Sequence, residues 1–368
     1  MLIYWIFLGT QGLFAMLEQS VERARHRANA VWVVFATALA LFIGLRWKTG
    51  GDWGNYYNNL QAFYWVGPAA TTETSRDAGF TALSLFAALF PTGIIVITLF
   101  SGILMAYALV RFSLDQPRPW LCMTVAFPYL VVVCGMGYVR QGIAISFILL
   151  GLLALRRGRV LSYTGWAIMG ALFHSTAVAL VPLGAIASGR RKLFTGAVIL
   201  ALSILAFNAL VGSRADTLFN VYVVDRQSDS AGALIRALMS AMPAAIFLLF
   251  RKRFELEGPF QFAWVLLSVA ALIQVPAALF YSSTTVVDRL GLYLLPVQCF
   301  IWSRVPDALG SNKQQRVMLG TAIVCLYLAV FFVFMSFGVH ARLWVPYRFF
   351  LFEDGLCLEC GDPNAELT

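Results

Sequence analysis

Residues 44–57 bring together side chains that can bind phosphate, stack on sugars and accept a proton. The members that could do this chemistry are Arg46, Asp52, Trp53, Tyr56 and Tyr57. A guanidinium group grips phosphate through two parallel hydrogen bonds and stays charged. Aromatic rings stack on sugars as readily as they anchor a protein at a membrane surface. Aromatic anchoring at the membrane surface does not explain the carboxylate of Asp52, which we therefore interpret as a candidate general base.

Further candidates lie where polar side chains interrupt apolar sequence. Arg140 follows two glycines at a break in a long apolar run, and Arg289 directly follows Asp288 at the predicted start of another. His174 stands inside an apolar segment, where a lone histidine is more often structural than catalytic. Arginines at span ends often only reach toward lipid head groups, whereas polar groups at membrane depth usually mark a working cavity. We therefore treat these arginines as candidate phosphate ligands and His174 as a second candidate base.

The composition excludes an ordinary soluble domain. Of 368 residues, 60% are hydrophobic and only 12% are charged, against roughly 25% charged in soluble domains. Because a helical span needs about 20 apolar residues, the sequence predicts an all-α polytopic membrane protein with about ten transmembrane helices. The predicted spans are 1–17, 29–45, 92–110, 120–138, 141–155, 193–211, 233–250, 260–281, 290–303 and 317–339. The net charge of +9 then belongs to loops and indicates no nucleic-acid partner.

Loop charges predict the orientation and one unusual element. Six basic clusters fall between the predicted spans, and the positive-inside rule assigns them all to the cytoplasm. They are Arg23/Arg25/Arg27, Arg111/Arg118, Arg156/Arg157/Arg159, Arg190/Arg191/Lys192, Arg251/Lys252/Arg253 and Arg304/Lys313/Arg316. The apolar segment 161–187 has such a cluster at each end, so it must turn back. The predicted element is a re-entrant helical hairpin with its turn at Phe173-His174-Ser175, which leaves both termini and all the candidate site residues outside.

Several functions are disfavoured by what the sequence lacks. All eighteen acidic residues lie outside the span interiors, whereas ion-coupled transporters carry carboxylates there. No external Asp-x-Asp pair is present to hold a metal-bound sugar phosphate, and no nucleotide-binding or hydrolase motif occurs. The pair Cys357 and Cys360 is a weak signal by itself. We therefore expect neither a metal ion nor a cofactor.

Five motifs in order give the chain a resemblance to a known family. They are Gly44-Leu45-Arg46 with Thr49-Gly50-Gly51-Asp52-Trp53 and Tyr57; Arg140-Gln141-Gly142-Ile143-Ala144; Phe173-His174-Ser175; Asp288-Arg289 with Tyr293; and Trp344 with Pro346-Tyr347. In this order and spacing the chain resembles the EpsG family of exopolysaccharide biosynthesis proteins, which are related to Wzy-like O-antigen polymerases. One departure is Gly51, where the family commonly has threonine, and glycine there merely loosens the turn.

The resemblance implies a reaction and an all-helical fold similar to the GT-C class. A glycan on polyprenyl (undecaprenyl) pyrophosphate is transferred onto the sugar hydroxyl of another lipid-linked repeat unit, without a nucleotide sugar and without metal. For that reaction we expect Arg46, Arg140 and Arg289 to bind the pyrophosphate. We expect Asp52 or His174 to accept the hydroxyl proton. The other expected substrate-binding residues are Gln141, Asp288 as the partner that orients Arg289, and a sugar platform of Trp53, Tyr56 and Tyr57.

The predicted organisation is one transmembrane domain, residues 1–339, with an external loop at 46–91 and a short external C-terminal tail at 340–368. The expected location is the bacterial inner (plasma) membrane, with the active site on the external or periplasmic side. Expected partners are polyprenyl-pyrophosphate-linked oligosaccharide, membrane lipid, and the chain-length regulator and flippase of a polysaccharide pathway. Three alternatives stay open: an O-antigen ligase-type glycosyltransferase, a lipid-linked sugar transporter and a non-catalytic assembly subunit.

Overall fold

The computed structural model describes residues 1–19, 30–66, 77–186, 192–210, 232–280 and 284–353. Within these ranges the chain is helical almost throughout. The first half forms α1 (Leu2–Glu18), α2 (Ala30–Gly44), α3 (Trp53–Val66), α4 (Ala78–Ala87), α5 (Gly93–Leu114), α6 (Pro119–Gly137), α7 (Val139–Arg156) and α8 (Val160–Phe173). The second half forms α9 (Leu183–Ile186), α10 (Lys192–Leu210), α11 (Ala233–Leu249), α12 (Gly258–Phe280), α13 (Thr284–Gly291), α14 (Leu295–Trp302), α15 (Val305–Leu309) and α16 (Lys313–Phe337).

Short elements complete the described chain. The two-residue strands β1 (Arg46–Trp47) and β2 (Arg348–Phe349) pair antiparallel. The 3-10 helices are Ser175–Leu180, Arg251–Phe254, Leu292–Leu294, Ala341–Leu343 and Phe350–Phe352. The second part of α6, Phe127–Gly137, is a π-helix, a widened form that often occurs at functional sites.

Five described helices, α5, α6, α7, α12 and α16, are long and apolar enough to cross a membrane. The prediction of an all-helical membrane protein is therefore confirmed. The other five predicted spans coincide with α1, α2, α10, α11 and the α13–α14 segment, so the number ten stays a prediction. Helix α6 is buried along its length, whereas most residues of α12 and α16 are only partly buried or exposed. The core of the bundle is therefore built around α6.

The long apolar run 120–155 divides at Tyr138, as its glycines and Arg140 predict. Tyr138 alone separates α6 from α7, and Arg140 is the second residue of α7. Arg156 at the other end of α7 pairs with Asp115, just before α6, at 2.5 Å. The two helices therefore run antiparallel, and the turn between them brings Arg140 to one end of the bundle.

The described part of the segment 161–187 reverses direction at His174, as predicted. The backbone at His174 is extended and ends α8. Tyr163, near the start of α8, donates a hydrogen bond to the Leu180 carbonyl at 2.7 Å, so the chain returns along α8. The return arm differs from the single α-helix that we predicted, because it is a 3-10 helix followed by the short α9. Pro182 accounts for the difference, since proline lacks the N–H that a continuous α-helix needs.

The basic loops and the predicted site residues collect at opposite ends of the bundle. At one end, Arg118 pairs with Asp307 at 2.8 Å, Arg304 hydrogen-bonds to Gln116, and the basic turn before α12 packs against α15. The predicted site residues lie at the other end, where α2, α6 and α8 finish and α7 begins. We call these the cationic end and the motif end. The clusters Arg23/Arg25/Arg27 and Arg190/Arg191 lie outside the described residues.

Residues 340–353 fold back onto the motif end. Strand β2 pairs with β1, directly after α2. Trp344 is 3% exposed, and its Nε1 donates to the Val132 carbonyl of α6 at 2.9 Å. This stretch therefore forms part of the packed bundle, while the Cys357 and Cys360 pair lies outside the described residues. The loop 46–91 also contains structure, namely α3 and α4.

Candidate functional site

The turn that carries Asp52 is fixed against α6 and the end of the chain. Gly50 adopts φ +107°, which residues with a side chain rarely adopt. A Cβ at Gly50 would also come within 2.1 Å of the Met136 carbonyl oxygen. The Gly50 N–H donates to the Leu343 carbonyl at 2.8 Å, and the Asp52 N–H donates to the Gly137 carbonyl at 3.1 Å. Two distant parts of the sequence therefore hold the main chain of the turn from Gly50 to Asp52.

The Asp52 carboxylate accepts a hydrogen bond from one hydroxyl and feels the charge of two guanidinium groups. Tyr56, one turn further along α3, donates from its hydroxyl to Asp52 Oδ2 at 3.4 Å. Burial raises the pKa of Asp52 above its ordinary value, although the charges of Arg140 and Arg289 and the Tyr56 hydrogen bond oppose the rise. A carboxylate with a raised pKa is better matched to accept a proton near neutral pH. The arrangement therefore suits Asp52 to proton transfer beside a bound anion.

Asp77 links Arg140 to the turn of the hairpin, and the sequence analysis did not single it out. Its carboxylate is 5% exposed and accepts hydrogen bonds from Arg140 at 3.2 Å and from the Ser175 N–H at 3.1 Å. Nδ1 of His174 lies 3.7 Å from Asp77 Oδ2. Burial would raise the pKa of Asp77, but His174, Arg140 and the Ser175 amide bring it below its ordinary value. The sequence signal that could have identified Asp77 was an aspartate immediately before an apolar helical segment.

Two contacts connect this group to the segment that carries Arg289. The Thr176 and Tyr293 hydroxyls lie 3.2 Å apart. The side-chain amide of Gln141 donates to the main-chain carbonyl of Arg289. Gln141 is only 4% exposed, so in this structure it positions Arg289, whose own side chain is exposed.

Arg46 lies deeper than its predicted role as a phosphate ligand requires. Its side chain is fully buried, and its guanidinium donates to the main-chain carbonyls of Ile43 and Thr49. The Ile43 carbonyl is in the last turn of α2, where carbonyls lack a helical partner. Burial lowers the pKa of Arg46 to about 10. Arg46 therefore joins the end of α2 to the turn that carries Asp52.

Asp288 forms a bidentate ion pair with Arg236 of α11. The Nε–Oδ1 and Nη2–Oδ2 distances are 2.5 and 2.7 Å, and both side chains are mostly buried. The sequence analysis assigned Asp288 to its neighbour Arg289 and gave Arg236 no role. The signal for Arg236 was a charged residue in the first turn of an otherwise apolar helix, a position that by default indicates function.

The predicted sugar platform is mostly occupied by its own packing. Trp53 and Tyr56 are 5% and 4% exposed, and the Trp53 ring stacks on Tyr57 with centroids 5.3 Å apart. Tyr57 is the only one of the three that is not buried. Of this trio, Tyr57 is therefore the ring that a sugar could contact directly.

A comparison with protein families identifies the group to which these residues belong. The EpsG family model matches residues 29–349. The chain belongs to the EpsG family. No curated protein and no solved structure matches it. Membership of the EpsG family implies a polymerase-like membrane protein of exopolysaccharide biosynthesis.

In this EpsG-family protein the motif residues form one connected group. Gly137, just before the Arg140 motif, packs so closely on Trp344 that a Cβ there would lie 2.6 Å from the indole ring. A Cβ at Gly51, the departure from the family, would lie 3.8 Å from Trp344, which is an ordinary van der Waals contact. Across the described ranges, no group of three or more His, Cys, Asp or Glu side chains is arranged to hold a metal ion.

Proposed function

We propose that this EpsG-family protein is a polysaccharide polymerase. It transfers a glycan from polyprenyl pyrophosphate onto the sugar hydroxyl of another lipid-linked repeat unit. The observation that carries the proposal is the Tyr56 hydroxyl, which lies 3.4 Å from the Asp52 carboxylate and 3.5 Å from the main-chain nitrogen of Arg140. The charges of Arg140 and Arg289 both act on Asp52. A transfer of this kind needs one proton acceptor next to cations that bind the leaving pyrophosphate.

The proposed reaction exchanges one bond at the anomeric carbon of the donor sugar for another. The acceptor hydroxyl oxygen forms a bond to this carbon while the bond from the carbon to the pyrophosphate oxygen breaks. Asp52 accepts the hydroxyl proton, and polyprenyl pyrophosphate leaves with the bonding electron pair. The raised pKa of Asp52 supports this role, since a base works best when its pKa approaches the working pH.

Arg140 and Arg289 stabilise the leaving pyrophosphate in this proposal. Fixed guanidinium groups stabilise developing negative charge without having to reorganise. The Arg140 side chain is 34% exposed and that of Arg289 is exposed, so both can reach a ligand. Arg46 is fully buried, and we assign it to holding the Asp52 turn in place.

His174 acts through Asp77 in this proposal. Its Nδ1 lies 3.7 Å from the carboxylate that binds Arg140, so it is a positioning residue for that arginine. Loss of His174 should therefore weaken binding of the donor, whereas loss of Asp52 should slow the chemical step. This division would be supported if the activity of His174→Ala fell at low pH over the same range as that of the wild type.

The proposed location is the external face of a bacterial plasma membrane. The basic loops meet at the cationic end, through contacts such as those of Arg118 and Arg304. By the positive-inside rule that end faces the cytoplasm. The motif end then faces outward, where it can meet lipid-linked repeat units after they have crossed the membrane.

The direct test is polymerisation of lipid-linked repeat units by the purified protein. Asp52→Asn keeps the shape of the side chain but cannot accept a proton, so the transfer rate should fall about 100-fold or more. Asp115→Asn is the matched control, because Asp115 pairs with Arg156 at the cationic end. Normal polymer from folded Asp52→Asn protein would refute the role of Asp52.

The same assay separates the other functions. A ligase would transfer the glycan to a lipid core and would leave lipid-linked units unextended. A transporter would move these units without forming a bond. A non-catalytic subunit would tolerate both Asp52→Asn and Arg140→Ala. The proposed chemistry uses no metal, so polymer should form in excess chelator, and a loss restored by magnesium would contradict it.

A further inference from the structure

A cavity of ≈ 620 Å³ lies between α11 and α16 and reaches Arg289. Cavities of about 300–1,000 Å³ accommodate small ligands or parts of larger ones. The proposed reaction uses one residue of its lining, Arg289, and leaves the rest of the cavity without a role. Its lining combines a long apolar wall with a small group of charged side chains, which is an unusual pairing inside a membrane protein.

The apolar wall is one face of α16. Its members recur three or four residues apart, as expected for one side of a helix. They are Leu326, Ala329, Val330, Val333, Phe334 and Phe337. From Leu326 to Phe337 the wall is about 16 Å long at 1.5 Å per residue, and it runs along the axis of the bundle.

The cavity is open at its side. Val333 and Phe337 are 50% and 73% exposed, and Ile235 on the α11 wall is 57% exposed. Helix α16 is long and apolar enough to cross a membrane, and exposed apolar side chains on such a helix can contact lipid chains. The cavity is therefore a cleft through which an apolar chain can enter from the bilayer. We call it the α11–α16 cleft.

The charged lining residues gather at the motif end of the cleft. Arg236 and Ile235 are in the first turn of α11, and Met239 lies one turn deeper. Asp288 binds Arg236 through both oxygens and so fixes the guanidinium in one orientation. Arg289 also lines the cleft. Two cations and one carboxylate make this end net positive, so it attracts an anion.

We infer that the α11–α16 cleft binds the first isoprenoid units of the donor lipid, with Arg236 and Arg289 at its diphosphate. This inference rests on the proposed function, because it takes the donor to be a polyprenyl diphosphate. A single apolar chain ending in a diphosphate matches a cleft with one apolar wall and cations at one end. A glycerophospholipid matches it less well, since it carries two chains and one phosphate.

Arg289 explains why the occupant is the donor and not the acceptor. It lines the cleft, and its main-chain carbonyl accepts a hydrogen bond from Gln141, the neighbour of Arg140. The main-chain N–H of Arg140 in turn donates to the Tyr56 hydroxyl, which contacts Asp52. A diphosphate held at Arg289 therefore presents its sugar toward Asp52, where the glycosidic bond breaks. Arg236 is then a diphosphate ligand that its pairing with Asp288 positions.

The test measures how strongly the enzyme prefers a long lipid chain on the donor. Val333→Trp adds bulk inside the cleft, whereas Phe332→Trp places the same ring on the neighbouring residue. Phe332 is 53% exposed and lies outside the described lining of the cleft, so it is the matched control. Each purified full-length variant is given donors that carry either a long polyprenyl chain or a single short isoprenoid.

In the wild type and in Phe332→Trp, the long chain should raise kcat/KM at least about tenfold over the short chain, because burial of further CH2 groups in the cleft is favourable. In Val333→Trp this preference should fall to about one, because kcat/KM for the long donor should fall at least about tenfold more than kcat/KM for the short donor. A preference that persists in folded Val333→Trp would overturn the inference. Wild-type protein that extends neither donor would instead refute the proposed function.

A binding measurement tests the cleft independently of catalysis. A photoreactive polyprenyl diphosphate is expected to label residues 326–337 of the wild type, and to label Val333→Trp much less. Excess polyprenyl diphosphate should suppress the labelling, whereas equal amounts of phosphatidylglycerol should not. Labelling elsewhere, or equal suppression by phosphatidylglycerol, would overturn the inference, because the cleft would then be a general lipid contact.

Discussion

The carboxylate of Asp77 accepts a hydrogen bond from Arg140 at 3.2 Å, although 63 residues separate them in the chain. The same carboxylate binds the Ser175 N–H and lies near His174. One buried aspartate thus connects the loop after α2, the start of α7 and the turn of the hairpin. The direction in which Arg140 points therefore depends on Asp77.

Asp77→Asn should impair transfer without unfolding the protein. Asparagine keeps a carbonyl oxygen for the Ser175 N–H but loses the charge that holds Arg140 and His174. We expect kcat/KM for the lipid-linked donor to fall roughly 10- to 100-fold, the usual effect of removing a group that orients a ligand-binding residue. The rate is measured with purified protein, and size-exclusion chromatography reports folding.

The control for this variant is Asp115→Asn. It removes another aspartate from an ion pair, that with Arg156 at the cationic end. Exposed ion pairs contribute about 0–1 kcal/mol, so activity should stay within about twofold of the wild type. Equal losses in both variants would indicate a general effect on the fold and would contradict a specific role for Asp77.

Tyr56→Phe should move the acid limb of the pH profile. The Tyr56 hydroxyl donates to the Asp52 carboxylate and favours its ionised form. Without this bond the pKa of Asp52, already raised by burial, should rise further. A base is active only when ionised, so activity is lost as pH falls through this pKa. The acid limb of kcat/KM against pH should therefore shift to higher pH.

Tyr57→Phe is the matched control for that shift, because it removes a hydroxyl from the next residue and keeps the ring stacked on Trp53. Its acid limb should coincide with that of the wild type. If the acid limb of Tyr56→Phe is unchanged or lies at lower pH, another group accepts the proton. His174 is the first candidate.

Gly50→Ala should destabilise the protein far more than Gly51→Ala. Gly50 has a positive φ and a Cβ there would collide with the Met136 carbonyl, whereas a Cβ at Gly51 makes only ordinary contacts. Backbone strain of this kind costs about 1–3 kcal/mol, and the collision adds to it. Thermal unfolding in detergent should show a lower Tm for Gly50→Ala alone. Similar Tm values for the two variants would contradict the described turn.

Arg46→Ala and Arg140→Ala should fail in different ways. Removing Arg46 leaves the buried Ile43 and Thr49 carbonyls without their donor, at a cost of about 1–3 kcal/mol each. The Tm and yield of Arg46→Ala should fall. Arg140→Ala should fold but transfer about 100-fold more slowly or worse. Arg140→Lys should recover little of the transfer rate, because lysine lacks the two parallel N–H donors of a guanidinium group.

Arg342→Ala is the control for both arginine variants, since Arg342 is an exposed arginine at the same end of the bundle. It should change neither Tm nor rate. A stable Arg46→Ala protein that binds the donor poorly would return Arg46 to the role of phosphate ligand that its sequence motif predicts.

The amino-acid sequence by itself determined the kind of protein and much of its chain path. Apolar runs of span length have no stable alternative to helices in lipid, so the helical bundle follows from composition and spacing. The sequence also predicted the helix breaks at Tyr138 and His174. Glycines and Arg140 mark the first, and basic clusters at both ends of one apolar segment require the second. The separation of basic loops from motif residues followed from charge alone.

Only the tertiary structure decided which polar residues share a site and which serve the fold. Asp77 meets Arg140, and Arg236 meets Asp288 across 52 residues, through helix packing that no local periodicity encodes. Arg46 resembled a phosphate ligand in the sequence but is buried against main-chain carbonyls. A guanidinium group binds phosphate and carbonyl oxygens through the same N–H donors. Which of them it meets depends on how deeply the packed helices bury it.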